Sequence, residues 1–323
     1  KWKAGSDNEK AFKAAGFEAH AVLGHSVGET TAFHVAGVFD LSSAMKLVYH
    51  RGRLQQTTAG KGAMLAVGLT EAECADLLRE SKDVSIAAIN SSSSLTLAGE
   101  KAELENIAKT LADKEIFARF VPVDVPFHSP AMDPILDELQ DKLADMTVKE
   151  PEMPLISTVN ANWVAAGEGK GAYWAKNVRD TVRFRDSLEL LFKEGYDCIV
   201  EVSAHPVLGP SIKECAANVE SQVVTVPTIR RRENSHRYFL AALAKLYCAG
   251  CTCALDIFAQ QGVATELPPY QWQRSEHWSE SDESRQYKEG ERVSADGLIG
   301  PKLHPLLGGK VDVAQACWRN EIE

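Results

Sequence analysis

Short apolar segments alternate with helical patterns along most of the chain. Near the N-terminus we predict a strand at residues 20–24 and helices at 27–38 and 41–56, the second capped by Asp40. The alternation resumes after residue 121 with helix 130–145, strand 155–159, helix 183–193 and strand 198–202. Strands that alternate with helices are typical of an α/β domain with a mostly parallel sheet flanked by helices.

A different pattern occupies residues 62–121. Its predicted elements are strand 63–67, helix 71–79, strands 84–89 and 95–98, helix 101–112 and strand 116–120. The order β-α-β-β-α-β is the ferredoxin-like pattern. We therefore predict a small α+β subdomain at 62–121, inserted into a larger α/β subdomain formed by 1–61 and 122–229.

The composition changes near Arg230. One more helix is predicted at 237–247, followed by a segment rich in proline and aromatic residues and by a polar stretch from about 279. This composition is typical of a linker. We assign 230–302 to a linker and 303–323 to the start of another domain.

Charge and cysteine content exclude several classes of protein. The 323 residues carry 45 acidic and 35 basic side chains, a net charge of −10, which disfavours binding to nucleic acid or to an anionic membrane. No apolar stretch is long enough to span a membrane. Seven cysteines are too few for a disulfide scaffold, so we expect a cytoplasmic protein with reduced thiols. Cys248, Cys251 and Cys253 lack a second ligand cluster, so no metal site is predicted.

The sharpest motif is Gly24-His-Ser-Val-Gly-Glu29, a G-x-S-x-G sequence between a predicted strand and helix. Such a turn exposes the serine hydroxyl, here that of Ser26. The start of the helix behind Ser26 offers backbone N–H groups and a partial positive charge to an oxyanion. The motif predicts a nucleophilic serine.

A nucleophilic serine needs a base, and several histidines are candidates. His128 follows a predicted strand and can reach the edge of the sheet, and His205 is a further candidate. His25 adjoins Ser26, but neighbouring side chains across a sharp turn point apart. If Arg51 lies near the serine, its guanidinium would select an acyl group that carries a carboxylate.

These motifs together resemble the malonyl/acyl-CoA:acyl carrier protein transacylase family, in the form embedded in polyketide and fatty acid synthases. The resemblance implies an α/β-hydrolase-like core with an inserted ferredoxin-like subdomain. It also implies that a dehydratase (hot-dog) domain begins at 303. The matching segments are GHSVGE at 24–29, HRGRLQQ at 50–56, VPFHS at 125–129, NVRDTVRF at 177–184, EVSAHPVLGP at 201–210, LPPYQWQRSEHW at 267–278 and LHPLLGG at 303–309.

The resemblance implies a role for each matching residue. Ser26 and His128 would form a catalytic dyad, with the imidazole held by the backbone carbonyl of Asn177. The Val27 N–H would donate to the oxyanion. The residues implied in binding the acyl group are Arg51, Phe127, His25 and Gln56.

The implied substrates are malonyl-CoA and the phosphopantetheine thiol of an acyl carrier protein, with no cofactor or metal bound by this chain. Ketosynthase and dehydratase domains of the same polypeptide are the implied neighbours. The family's upstream Gln-containing segment, which supplies a second oxyanion donor, has no match here. We therefore expect an N-terminally truncated acyltransferase domain.

Two other functions fit parts of the sequence. A serine hydrolase or thioesterase of the α/β type would also use the G-x-S-x-G turn, but its catalytic histidine follows the acid in the chain, and it has no use for Arg51. A scaffold fragment that packs neighbouring domains would need neither Ser26 nor His128.

Overall fold

The computed structural model describes residues 12–79, 81, 83–252, 266, 268–275, 279–282, 285, 299–304, 308–311 and 317–319. The chain forms two compact units, Lys1–Gln261 and Gly262–Glu323. In the first unit the elements are β1 (Val22–Leu23), α1 (Gly28–Val35), α2 (Leu41–Gln56), β2 (Ala63–Val67), α3 (Glu71–Leu77), β3 (Val84–Ile89), β4 (Leu95–Gly99), α4 (Lys101–Asp113), β5 (Ala118–Phe120), α5 (Asp133–Lys142), β6 (Leu155–Ser157), β7 (Asn162–Trp163), α6 (Gly171–Arg179), α7 (Phe184–Lys193), β8 (Cys198–Glu201), α8 (Gly209–Asn218), β9 (Val224–Pro227) and α9 (Ser235–Cys248).

The larger subdomain is built on short parallel strand pairs covered by helices. Strand β1 pairs in parallel with β6, and β8 pairs in parallel with β9. Strand β7 adds an antiparallel edge to β6, so the parallel pairs lie in separate three-stranded and two-stranded sheets. The α/β fold is confirmed, although the predicted sheet is divided because its strands are only two to four residues long.

The smaller subdomain has the predicted ferredoxin-like topology. Its four strands lie in the order β3-β4-β2-β5, and each neighbouring pair is antiparallel. Leucine side chains from β2, β4 and α4 fill its core, among them Leu65, Leu97 and Leu104, all fully buried. Thr70 and Glu73 form a capping box that starts α3.

Helices α1 and α6 pack against each other through aromatic rings. Phe33 of α1 is fully buried, and its ring centroid lies 4.9 Å from that of Tyr173 and 5.0 Å from that of Trp174. The Trp174 indole N–H donates to the Gly169 carbonyl at 2.7 Å, so its one polar group is satisfied in the core. This packing fixes the helix that begins just after Ser26.

Two structural elements lie at the domain boundaries that we predicted. Helix α9, which we assigned to the 230–302 linker, packs Leu243 and Leu246 with Phe12 and Val226 and therefore belongs to the first unit. In the second unit, β10 (Ile299–His304) pairs with β11 (Gly308–Val311), and β11 pairs with β12 (Cys317–Arg319), all antiparallel. The boundary predicted at 303 thus falls inside a strand.

Several sequence assignments lie partly outside the described residues. Of the segment 267–278 the structure describes 268–275, and of 303–309 it describes 303–304 and 308–309. Cys253 is also outside the described residues. None of the helices that are described has the length and apolar character needed to cross a membrane.

Candidate active site

The turn between β1 and α1 holds Ser26 in a strained conformation. Ser26 has a φ of 54°, in the left-handed region that residues other than glycine rarely adopt. Gly24 permits the close approach of strand and helix, because a Cβ there would lie 2.2 Å from the Glu29 nitrogen. Gly28 has open space around its Cα, so only the first glycine of the motif is required for packing.

Ser26 contacts His128, which follows the small subdomain in the chain. The Ser26 hydroxyl lies 2.7 Å from His128 Nε2, and His128 Nδ1 lies 2.9 Å from the carbonyl oxygen of Asp180. A carbonyl oxygen only accepts, so Nδ1 carries the proton and Nε2 is free to accept from the serine hydroxyl. His128, too, has a left-handed backbone, with a φ of 59°.

The carbonyl that orients His128 therefore differs from the one we predicted. Asp180 supplies it, whereas the Asn177 side chain donates to the Glu29 carboxylate at 2.6 Å and to the Ser26 carbonyl at 3.4 Å. Asn177 lies in the last turn of helix α6, and Asp180 is the first residue after that helix. Asn177 thus holds the turn around Ser26 and does not orient the imidazole.

Glu29 is a fully buried carboxylate beneath the serine turn. It accepts hydrogen bonds from the Thr158 backbone N–H, from the Thr158 hydroxyl at 2.7 Å, from the Tyr173 hydroxyl at 2.8 Å and from Asn177. Burial raises the pKa of Glu29, although these four donors oppose the shift. The network ties α1 to the loop after β6 and to α6.

Arg51 reaches the serine from helix α2. Its Nη2 donates to the Ser26 hydroxyl at 3.3 Å, and the side chain is 3% exposed. Burial lowers the pKa of Arg51 to about 10, partly offset by the negative charge of Glu29, so the guanidinium remains protonated at neutral pH. Within the described part of the chain, Arg51 Nε and Nη1 are buried and have no hydrogen-bond partner.

Burial and nearby positive charge keep the base unprotonated. Desolvation, followed by the charges of Arg51 and His25, lowers the pKa of His128 to about 3. The ring is 4% exposed. At neutral pH it is therefore a neutral acceptor for the serine proton.

His25 stands beside the pair without touching the serine hydroxyl. Its Nε2 donates to the Asn90 side-chain oxygen at 2.8 Å, and its ring lies edge to face with Phe184 at 5.1 Å. Burial lowers the pKa of His25. Since Asn90 belongs to the small subdomain, this contact links the two subdomains at the site.

Phe127 precedes His128 in the chain, and Val27 follows Ser26. Phe127 is half-buried and packs against both the core of the large subdomain and a cluster that contains Met64 and Ala98. Val27 is the residue immediately before helix α1. Its backbone N–H donates no hydrogen bond to the described residues, so it is available to an oxyanion.

Two other sequence candidates do not lie where we expected them. Gln56 is exposed on α2, and it is the preceding residue, Gln55, that is buried. His205 is exposed, and its Nδ1 accepts from the Arg231 backbone N–H at 3.4 Å. Among the described residues, no group of three or more His, Cys, Asp or Glu side chains could hold a metal ion.

This arrangement can transfer an acyl group. A serine hydroxyl in hydrogen-bond contact with a neutral, oriented imidazole is the geometry of an activated nucleophile. The guanidinium beside it can bind an anionic part of the acyl group, and the helix start can bind an oxyanion.

Comparison with known proteins identifies the family. The acyl transferase domain family matches residues 8–253, so the chain belongs to that family. It is 34% identical over 310 residues to polyketide synthase GfsE of Streptomyces halstedii and 33% identical over 270 residues to erythronolide synthase EryA2 of Saccharopolyspora erythraea. These matches cover 94% and 83% of this chain but 8% of each relative, so the chain spans less than a tenth of these relatives' length.

Solved structures of polyketide synthase acyltransferase domains share the fold. The acyltransferase domain from module 8 of the salinomycin polyketide synthase superposes with a TM-score of 0.77 at 30% identity, over 79% of this chain and 60% of that chain. The loading acyltransferase from the avermectin modular polyketide synthase gives a TM-score of 0.73 at 31% identity, over 76% of this chain and 78% of that one.

Proposed function

We propose that this acyltransferase domain loads a malonyl unit from malonyl-CoA onto the phosphopantetheine thiol of an acyl carrier protein, by way of an ester on Ser26. The observation that carries the proposal is the hydrogen-bonded series Ser26–His128–Asp180 with the Arg51 guanidinium on the serine hydroxyl. The carrier protein and the neighbouring ketosynthase and dehydratase domains are proposed partners.

The first half-reaction forms the ester. The Ser26 hydroxyl passes its proton to His128 Nε2 while its oxygen attacks the thioester carbonyl carbon, and the Val27 N–H stabilises the developing oxyanion. The C–S bond then breaks, and the CoA thiolate takes the proton from His128. A free thiol leaves, and a malonyl-serine ester remains.

The second half-reaction runs the same steps with another thiol. The phosphopantetheine thiol gives its proton to His128 Nε2, and its sulfur attacks the ester carbonyl carbon. The C–O bond to Ser26 breaks, and the serine oxygen recovers the proton from His128. CoA leaves before the phosphopantetheine thiol attacks the ester, so the kinetics are ping-pong.

The buried Arg51 side chain favours a substrate that carries a free carboxylate. Its unpartnered Nε and Nη1 can pair with the distal carboxylate of malonyl, a charge-assisted contact to a guanidinium that is already buried. That pairing also neutralises one of the charges that hold down the pKa of His128. The correct substrate therefore strengthens the base that acts on it.

Steady-state transfer tests this proposal. With malonyl-CoA and a phosphopantetheine-bearing carrier protein, initial rates plotted in double-reciprocal form should give parallel lines as the second substrate is varied. Ser26→Ala and His128→Gln should abolish transfer, with each rate scaled to the folded fraction of the preparation. Intersecting lines, or transfer that survives in Ser26→Ala, would refute the proposal.

A further inference from the structure

One buried amide on helix α2 has no role in the chemistry described above. Gln55 is 9% exposed, and its Nε2 has no hydrogen-bond partner among the described residues. Buried polar groups without partners are rare in folded proteins, so this donor is open to an acceptor that the described residues do not supply. Its neighbour Gln56 is exposed to solvent.

The helix places Gln55 on the same side as Arg51. Residues four apart on an α-helix lie on one face, one turn above the other, and both side chains are buried on that face. Arg51 contributes two further buried donors without partners, Nε and Nη1. Three such donors therefore belong to adjacent turns of one buried helix face, and donors of this kind can receive the oxygen atoms of an anion.

The end of α2 that carries Gln55 is tied to the segment leading into His128. The Gly60 N–H donates to the Asp124 carbonyl at 2.8 Å, and a Cβ on Gly62 would lie 2.9 Å from the Pro126 Cβ. Arg51 on the preceding turn contacts Ser26. Gln55 therefore belongs to the stretch of helix between the serine contact and the loop that bears Phe127.

We propose that Gln55 is a specificity-determining residue that donates a hydrogen bond from Nε2 to the distal carboxylate of the bound acyl group, alongside Arg51. The inference rests on the proposed malonyl transfer and deepens it. An amide donor is neutral, so it adds a hydrogen bond to the carboxylate without adding to the positive charge that already depresses the basicity of His128. A second guanidinium or ammonium there would not have this property.

Matched variants at 55 and 56 test the assignment. Gln55→Met keeps the length of the side chain but removes the donor, and Gln55→Glu places a carboxylate where the substrate carboxylate would bind. The comparison is Gln56→Met, the same change at the exposed neighbour that the resemblance implied in binding the acyl group. The measurement is kcat/KM for malonyl-CoA and for acetyl-CoA, with each preparation scaled to its folded fraction.

Gln55→Met should lower kcat/KM for malonyl-CoA roughly 10-fold to 100-fold, the range for a hydrogen bond to a charged group, while acetyl transfer stays within about 2-fold. Gln55→Glu should lose more malonyl transfer than Gln55→Met, because it repels the substrate carboxylate and pairs with Arg51. Gln56→Met should not lower malonyl transfer selectively, and a selective loss there would assign the carboxylate contact to Gln56 and overturn the inference.

Equal losses for malonyl-CoA and acetyl-CoA, or no loss in either Gln55 variant, would overturn the inference. Arg51→Ala separates the two proposals. If that variant loses malonyl selectivity while the Gln55 variants keep it, only the assignment of Gln55 fails. If the wild-type chain forms no malonyl ester, the proposed function and this inference fail together.

Discussion

The Nδ1 atom of His128 lies 2.9 Å from the carbonyl oxygen of Asp180. This contact uses a backbone atom where many serine enzymes use a carboxylate, so no negative charge faces the imidazole there. The ring is oriented by a dipole, while the charges near it, on Arg51 and His25, disfavour its protonated form. The pH behaviour of the domain follows from this arrangement.

Acylation of Ser26 should therefore be insensitive to mild acid. His128 has a pKa of about 3 in the folded protein, so Nε2 stays unprotonated as the pH falls from about 8 to about 5. Rapid-mixing measurements of CoA release with malonyl-CoA in excess should give a level rate over that range. A rate that falls by half near pH 6.5, the ordinary histidine value, would contradict the burial argument.

The same shift predicts how stability changes with pH. The unfolded chain binds the His128 proton below about pH 6.5, whereas the folded chain binds it only near pH 3, so the unfolded state holds more protons between these values. Stability should thus be lost as the pH falls from about 6.5 towards about 3. In denaturant titrations His128→Gln should lose less stability over this window than wild type; an identical loss would assign the effect to other groups.

Asn177 should act through Glu29 and not through the imidazole. Asn177→Ala removes the donor at 2.6 Å from the buried Glu29 carboxylate, and we expect a loss of about 1–3 kcal/mol in the free energy of unfolding. The imidazole keeps its Asp180 contact, so the histidine NMR titration of His128 should not move. A shifted titration with unchanged stability would restore the role we first predicted for Asn177.

The two glycines of the serine turn should respond oppositely to the same substitution. Gly24→Ala forces a Cβ to within 2.2 Å of the Glu29 backbone, which should cost at least about 1–3 kcal/mol in unfolding free energy. Gly28→Ala has open space at the first position of α1, and alanine favours helix over glycine by up to about 1 kcal/mol. Equal effects of the two changes on the free energy of unfolding would show that the turn can accommodate a Cβ at position 24.

Phe127 should restrict the acyl group to one without an α-methyl substituent. The ring of Phe127, the residue before His128, packs against the core of the large subdomain and against the cluster that contains Met64 and Ala98. A single methyl group changes transition-state binding by about 1–3 kcal/mol. Phe127→Ser should therefore raise the ratio of methylmalonyl to malonyl loading in a competition assay. Wild-type protein that loads both thioesters equally would contradict the predicted preference for malonyl.

Much of the fold could be predicted from local patterns. Helix α2 begins and ends where we predicted, because Asp40 accepts from the Ser43 N–H at 2.8 Å and apolar residues recur along one face. Helix α8 was missed because it opens with Gly209 and Pro210, which read locally as a turn. Strand β9 was missed because its four residues form a strand only through pairing with β8.

The candidate site was predictable where a side chain carries the chemistry. The sequence motifs pointed to Ser26 and His128, which are 102 positions apart and in hydrogen-bond contact in the fold. The Asp180 carbonyl had no such signal, because every residue has a backbone oxygen. Gln56, which the resemblance implied in binding the acyl group, is exposed, whereas its neighbour Gln55 is buried. One position on a helix is a rotation of about 100°, which exchanges the buried face for the exposed one.

The most direct test of the account is the identity of the residue that carries the acyl group. The purified chain is incubated with malonyl-CoA without a carrier protein, and its peptides are mapped by mass spectrometry, with Ser26→Ala as the control. We expect one malonyl group, on Ser26, that disappears when a phosphopantetheine thiol is added. A malonyl group on another residue, or free malonate released with Ser26 left unmodified, would contradict it.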